Sequence, residues 1–461
     1  MARSKYRTTP VATDRMPPGV GYIVGNEAAE RFSFYGMRAI LIVFMTRHLL
    51  DRSGNLEVMG DEEAKYWYHL FLSSVYFFPT LGALLSDAVL GKYRTIIYLS
   101  LVYCAGHAAL ALDETRVGLA IGLTLIAIGS GGIKPCVSAN VGDQFGSLNK
   151  HLLEKVYSWF YFSINFGAFF STLLTPWLLI HYGSSWAFGV PGIFMGLATI
   201  VFWLGRNKFV HVPPGGLGFL REAFSREGLT VLGKLILVYA FVAFFWALYD
   251  QTGSAWILQA ENMDRNLFGT EISAAQTHAA NPIMILTFIP IFSYVIYPAI
   301  NRVFKLTYLR KIGIGLFLTA AAFCLSAVIE QWISQGQRPH IAWQFLAYAV
   351  ITAAEVMVSI TGLEFSYTQA PPRLKSVVMS LWLLSVSAGN GITALINLFI
   401  QDEAGESRLT GPDYYWMFAA MMGVVGVLFV FVAMFYRERT YTQDDAELEA
   451  EASAEGTAEA N

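Results

Sequence analysis

The chain has 461 residues, 55% hydrophobic and only 14% charged, with a mean hydropathy of +0.47, where a soluble domain carries about 25% charge. Apolar runs of about 20 residues recur along it, the length that crosses roughly 30 Å of hydrocarbon as helix, and this excludes a soluble enzyme. The formal net charge of −3, from 31 Lys+Arg against 34 Asp+Glu, gives no reason to expect a nucleic-acid partner. Cys104, Cys136 and Cys324 fall inside apolar runs, so they read as small buried hydrophobes rather than a disulfide framework.

Residues 1–16 are polar and hold Arg3, Lys5, Arg7 and Arg15. No short apolar core with a small-residue cleavage site follows, so no signal peptide is expected. Twelve apolar segments come next, at 20–46, 66–90, 94–112, 117–142, 152–180, 187–205, 231–260, 273–300, 307–333, 341–365, 374–400 and 412–436. Each reads as a membrane-spanning helix, which makes this an all-α membrane protein with both termini on one side. Sorting the connections by side puts 21 of the 31 Lys/Arg with the termini and seven opposite; Arg31, Arg38 and Lys134 remain inside spans. Positive connections stay cytoplasmic, so both termini are expected there, in a plasma or inner membrane.

The longest internal connection, 206–230, contains Pro213-Pro214-Gly215-Gly216 and then a short basic amphipathic stretch. It divides the spans six and six, as in a carrier built from two bundles. The expected organisation is an N-terminal segment 1–19, a six-helix bundle 20–205, a linker 206–230, a second bundle 231–436, and an acidic tail 437–461. That tail is rich in Ala, Glu and Asp and reads as disordered.

Charges inside the spans are the informative feature, because each costs about 2.5–3.5 kcal/mol at the bilayer centre on insertion scales. Span 1 holds Glu27, Glu30, Arg31 and Arg38; span 4 holds Lys134, span 7 Asp250 and span 10 Glu355. Structural ion pairs are one reading. Seven charges over four spans favour the other, a wet functional cavity. At 100° per residue Glu27, Arg31, Phe34 and Arg38 form one stripe that climbs roughly 16 Å. Arg38 and Asp250 both come out about 27–29 Å above the terminal side, with His69 in the same layer. Lys134 comes out low, near Glu27 and Glu30, and Glu355 near mid-depth. Two layers of opposite charge are therefore expected, each with the halves of the chain on opposite sides. Fully ionised, the seven leave a cavity at −1, which one proton or one cation would relieve.

The segment Glu27-Ala-Ala-Glu30-Arg31-Phe32-Ser33-Phe34-Tyr35-Gly36 resembles the ExxERFxYYG motif of the proton-coupled oligopeptide transporters, a branch of the major facilitator superfamily. Gly129 to Pro135 with Asp143-Gln144-Phe145 resembles that family's span-4 signature, and Phe160 to Gly167 its span-5 signature. Gly82 to Asp87 with Gly91 to Thr95 is similar to the superfamily's loop between spans 2 and 3. The blocks Phe245 to Gln251 and Glu355 to Pro371 look closest to the animal peptide transporters. The resemblance implies the major facilitator fold and a symporter that imports di- and tripeptides with protons by alternating access. It implies that Arg31, Lys134 and Tyr35 hold the peptide carboxylate, and that Asn165, Asn281 and Glu355 hold its amine. Trp246 and Trp382 would wall the side-chain pockets. Glu27, Glu30, His69 and Asp250 would serve proton coupling, with Arg38–Asp250 closing the outer gate.

Three departures stand out. Phe34 replaces the first tyrosine of the motif's pair, the 206–230 connection is too short for two extra helices, and the span 9–10 connection lacks a large extracellular domain. His69 read without the family is as well explained as a helix-interface histidine, and His107 and His278 read as structural. The Gly129–Gly132 cluster lacks the Walker spacing and fits close helix packing. Neither a metal ligand set nor a nucleophile–base pair is visible, so no metal, no cofactor beyond protons and no enzyme activity are expected. The alternative is a carrier of another small substrate, such as nitrate or an organic anion. Function as a monomer within the lipid bilayer is expected.

Overall fold

The computed structural model describes residues 6–146, 148–214, 216, 225–369, 375–401, 407–409 and 411–436. The acidic tail and the amphipathic stretch of the connection between halves lie outside the described residues. The first half contains α1 (Val20–Arg47), α2 (Asp61–Leu85, continued by a π turn over Ser86–Leu90), α3 (Lys92–Leu112), α4 (Arg116–Gly142), α5 (Leu153–Tyr182) and α6 (Ser184–Leu204). In the second half, α7 (Arg226–Tyr249) runs through a 3-10 turn, Asp250–Gly253, into α8 (Ala255–Glu261). The next span starts with a 3-10 turn, Ala274–Ala279, and joins α9 (Ala280–Ile291) to α10 (Tyr297–Asn301) through the π turn Phe292–Ile296. Then come α11 (Tyr308–Ser334), α12 (Ala342–Glu355), the π turn Val356–Ile360, α13 (Thr361–Gln369), α14 (Lys375–Phe399) and α15 (Pro412–Phe435).

Among the described residues eleven helical segments are long and apolar enough to cross a membrane. The 28-residue α1 is long enough as well, and its five charges set it apart. The fold is thus a twelve-span, two-bundle helical architecture. Within hydrocarbon every backbone group must find its partner inside the protein, which is why the spans are helical throughout and turn tighter or wider rather than break. Where helices begin, Thr115, Ser225 and Thr307 accept from the third helical N–H, and Ser273 and Gln276 cap each other reciprocally. The cap at Ser225 starts α7 at Arg226, so the last residues of the expected 206–230 linker are already helix. A two-residue hairpin, β1 (Asn266–Leu267) with β2 (Thr270–Glu271), follows α8 and lies outside every span.

Among the described residues two large apolar cores form, with a smaller cluster of Ile285, Phe292, Val356 and Met357 beside them. One gathers Phe34, Ile40, Phe44, Tyr68, Tyr103 and Phe188 from α1, α2, α3 and α6. The other gathers Phe245, Trp256, Phe323, Tyr348 and Phe418 from the second half. Small residues set the close crossings. A Cβ on Gly82 would lie 2.5 Å from Gly132 Cα, so α2 and α4 meet backbone to backbone just before Lys134. The Gly129–Gly132 cluster is therefore a packing seam. Across the halves, α2 lies along α14. The hydrogen bonds described between the halves gather at the end away from the termini, called here the distal end.

Candidate functional site

Three of the charged residues sit beside a proline or a change of helix type, while the four of span 1 lie along the unbroken α1. Lys134 precedes Pro135 inside α4, Asp250 opens the 3-10 turn after α7, and Glu355 closes α12 at a π turn. Short stretches of 3-10 or π geometry of this kind are frequent at functional sites.

On the first half, Arg31 Nε lies 2.7 Å from Glu27 Oε1 and 2.8 Å from Glu30 Oε2. Ser130 Oγ on α4 donates to Glu30 Oε1 at 3.3 Å. Lys134 has Glu30, Arg31 and Glu27 within electrostatic reach, yet among the described residues it forms no ion pair. Its Nζ stands 4.1 Å from the ring centroid of Phe34 and 4.5 Å from that of Tyr76. Two aromatic faces thus hold the ammonium, an arrangement worth about 2 kcal/mol when desolvated. The substitution at Phe34 removes a hydroxyl and keeps this face. The expected lower layer differs from the sequence expectation, because Arg31 takes both carboxylates on its own helix. The two halves are not joined there by an ion pair among the described residues. The i, i+4 spacing of Glu27 and Arg31 makes the local pair geometrically easier than a cross-bundle one.

On the second half, Asn281 Nδ2 donates to Glu355 Oε2 at 2.8 Å and to Thr352 Oγ1 at 3.1 Å. Tyr249 Oη donates to Asn281 Oδ1 at 3.1 Å. Trp246 stands edge-on to Tyr249 and to Trp382, with centroids 5.5 and 6.4 Å away, and its buried indole N–H has no protein acceptor among the described residues. Asn165 is buried, and its Nδ2 donates to the Tyr161 carbonyl one turn earlier at 2.9 Å. That leaves its carbonyl oxygen for any other partner. Tyr35 feels the charges of Arg31 and Glu355 together, and Tyr161 feels that of Glu355. These tyrosines of the first half therefore lie within electrostatic reach of the carboxylate of the second.

The distal end carries one continuous polar chain. Arg38 Nη2 meets Asp250 Oδ1 at 2.6 Å, while Arg38 Nε donates to Tyr68 Oη at 2.8 Å. Asn390 Nδ2 donates to Asp250 Oδ2 at 2.7 Å, and Asn390 Oδ1 lies 2.8 Å from His69 Nδ1. Since the Asn390 oxygen can only accept, His69 carries its proton on Nδ1. His69 Nε2 then accepts from Ser254 Oγ at 2.9 Å when the ring is neutral. All these side chains are buried. Further out, Arg47 Nη2 lies 2.6 Å from Glu261 Oε2, and Gln276 Nε2 donates to the Leu173 carbonyl at 3.1 Å. The distal end is closed in this structure.

Sequence reasoning did not single out Asn390, Tyr68, Tyr76, Ser254 or Tyr249. A charge in a span is conspicuous, whereas an Asn in a Ser/Gly-rich helix or a Tyr among many is not. One signal was present for Tyr76. It lies seven residues after His69, on the same helix face. His107 is buried with Nε2 2.7 Å from Ser33 Oγ, and Glu364 accepts from Tyr308 Oη at 3.0 Å near the terminal end.

A profile described as PTR2, POT family, matches residues 93–226 and 221–417. A Drosophila melanogaster protein named peptide transporter family 1 is 38% identical over 367 residues, 69% of this chain and 48% of that one. The human solute carrier family 15 member 2 is 35% identical over 401 residues, 76% of this chain and 54% of that protein. The chain thus spans about half the length of these relatives. A crystal structure of an auto-inhibited POT family peptide transporter superposes with a TM-score of 0.84 at 36% identity, covering 92% of this chain and 98% of the other. The crystal structure of the POT family transporter PepTSo gives the same TM-score at 35% identity, covering 91% and 98%. The chain, a multi-pass membrane protein of major facilitator architecture, belongs to the POT family.

Proposed function

We propose that the protein is a symporter that imports di- and tripeptides together with protons by alternating access, and is not an enzyme. The observation that carries this reading is the opposition of two unlike ends in one chain. Arg31 and the aromatic-held Lys134 come from the first half, and Glu355 with Asn281 from the second. A zwitterion would offer one charge of the right sign to each end. Its carboxylate would draw Lys134, which has no protein counter-ion among the described residues, with Arg31 and Tyr35 beside it. Its ammonium would take Glu355, with Asn281 and the Asn165 oxygen as acceptors. Trp246 and Trp382 would wall the side-chain pocket, and the indole N–H of Trp246 would find an acceptor on the substrate.

Protons would enter through Glu27, Glu30, His69 and Asp250, with Arg38–Asp250 as the outer gate. Protonating Asp250 removes the charge that Arg38 and Asn390 contact, so a proton from the distal side would favour opening there. A proton can shift the two states only by binding one more tightly than the other. The charge asymmetry of the connections supports cytoplasmic termini in a cell membrane, which makes the distal end the outside. Both ends of the site come from one chain, which supports function as a monomer. The direct test is uptake of labelled dialanine into proteoliposomes with competitors. Excess di- and tripeptide should suppress it strongly and N-acetylated dipeptide far less, while free alanine and nitrate should not. Suppression by nitrate but not by dipeptide would overturn the reading in favour of an anion carrier.

A further inference from the structure

A groove of about 700 Å³ runs along the outer face of the second bundle, between α11 and α15 at the end of the molecule that holds the termini. Gly313 on α11 forms part of its lining. A Cβ there would only touch Phe429, at 3.5 Å, and the space beyond stays free. Phe317 packs against Gly426 and closes the upper end, while Val430, Ala433 and Met434 form the far wall. The lining is apolar everywhere except at the terminal end, where Lys305 and Arg310 stand exposed.

The two cations are placed rather than paired. Arg310 Nη1 donates to the Lys305 carbonyl at 2.6 Å, and its guanidinium lies 4.4 Å from the Phe304 ring centroid. Among the described residues neither Arg310 nor Lys305 has an acidic partner, and none of those lining the groove is acidic. In a chain that spans a membrane, this face meets lipid. Exposed apolar walls under two exposed cations without an acidic partner among the described residues match one kind of occupant: a phospholipid with its acyl chain in the groove and an anionic phosphate at the mouth.

We infer that this groove is a binding site for an anionic phospholipid of the terminal-side leaflet. The source is a lipid and not a free phosphate, because the groove gives the acyl chain several times the contact that the mouth gives the headgroup. The site is separate from the substrate site and independent of the substrate assigned above.

The test is native mass spectrometry of the purified full chain titrated with phosphatidylglycerol or phosphatidylcholine of identical chains. The unmodified protein should hold one phosphatidylglycerol about 30-fold more tightly than phosphatidylcholine, the combined effect of two cations near the surface. K305Q/R310Q should lose that preference while still binding either lipid weakly. G313L, which fills the groove, should lose the bound molecule of both lipids. Lys155→Gln, a cation at the same end of the first bundle, should change nothing. Glycerol phosphate at millimolar concentration should not displace the lipid. Equal affinity for the two lipids, a preference that survives K305Q/R310Q, or displacement by glycerol phosphate would each overturn the assignment. K305Q and R310Q alter exposed side chains, so their result stands even if G313L fails to fold.

Discussion

Gly253 offers a sharp test of the distal closure, because its neighbours come from the other half of the chain. It ends the 3-10 turn after Asp250, with an ordinary helical backbone, so an alanine meets no conformational penalty beyond contact. Its Cβ would fall well inside van der Waals distance of Tyr68 Oη, 3.1 Å from Tyr68 Cζ and 3.5 Å from Arg38 Nη2. The tyrosine cannot yield cheaply, since it is fully buried and its hydroxyl accepts from Arg38 Nε. Overpacking of this kind costs about 1–3 kcal/mol. The cost falls only on the state in which the halves meet, so Gly253→Ala should shift the closed/open ratio by roughly 5- to 150-fold toward distal opening. Spin labels at Leu56 and Phe268, both exposed near the distal end, report that separation once the three native cysteines are replaced. Double electron–electron resonance should show a longer distance gaining population in G253A. Tyr68→Phe in the same chain removes the nearest atom and should restore part of the short distance. An unchanged distribution in G253A would refute the claim that this contact holds the distal end shut.

Three further outcomes follow from the same geometry. Glu355→Gln should weaken peptides with a free amine by about 1.5–3 kcal/mol, the worth of a charged hydrogen bond, and leave N-acetylated peptides unaffected; equal loss in a competition assay would show that Glu355 does not read the amine. Lys134→Ala should abolish gradient-driven uptake and Lys134→Arg should restore it only partly, because a planar guanidinium does not fit between Phe34 and Tyr76 as a compact ammonium does; concentrative uptake by the alanine variant would remove Lys134 from both binding and coupling. Asn390→Leu should displace the pH profile of uptake while peptide counterflow persists, since it cuts the link between Asp250 and His69; a superimposable profile would show that the bridge carries no coupling.

Much of this architecture was legible because membrane insertion imposes simple rules. Length and hydropathy place the spans, and helix ends differ from the sequence reading by a few residues where a cap decides, as Ser225 does for α7. Rise per residue was enough to bring Arg38, Asp250 and His69 to one height, because vertical position depends on helix geometry alone. Lateral partners are another matter. The sequence reading put Lys134 in one layer with Glu27 and Glu30 and expected the two halves to face each other across it, whereas Arg31 takes both carboxylates on its own helix and Lys134 faces two rings. Rotation of each helix about its axis decides such pairings, and that depends on packing seams such as Gly82 on Gly132. Asn390 stayed hidden for a related reason. A neutral amide in a small-residue helix becomes conspicuous only when both of its ends are seen to be used.

The measurement closest to the central claim is the accumulation of labelled dialanine in proteoliposomes under an inward proton gradient, repeated with a protonophore. Dialanine should rise above its external concentration with the gradient and fall back to it when the protonophore is added, with Asp250→Asn equilibrating but not accumulating. Accumulation that ignores the protonophore, or none under the gradient in a preparation that still exchanges peptide, would contradict proton-coupled import.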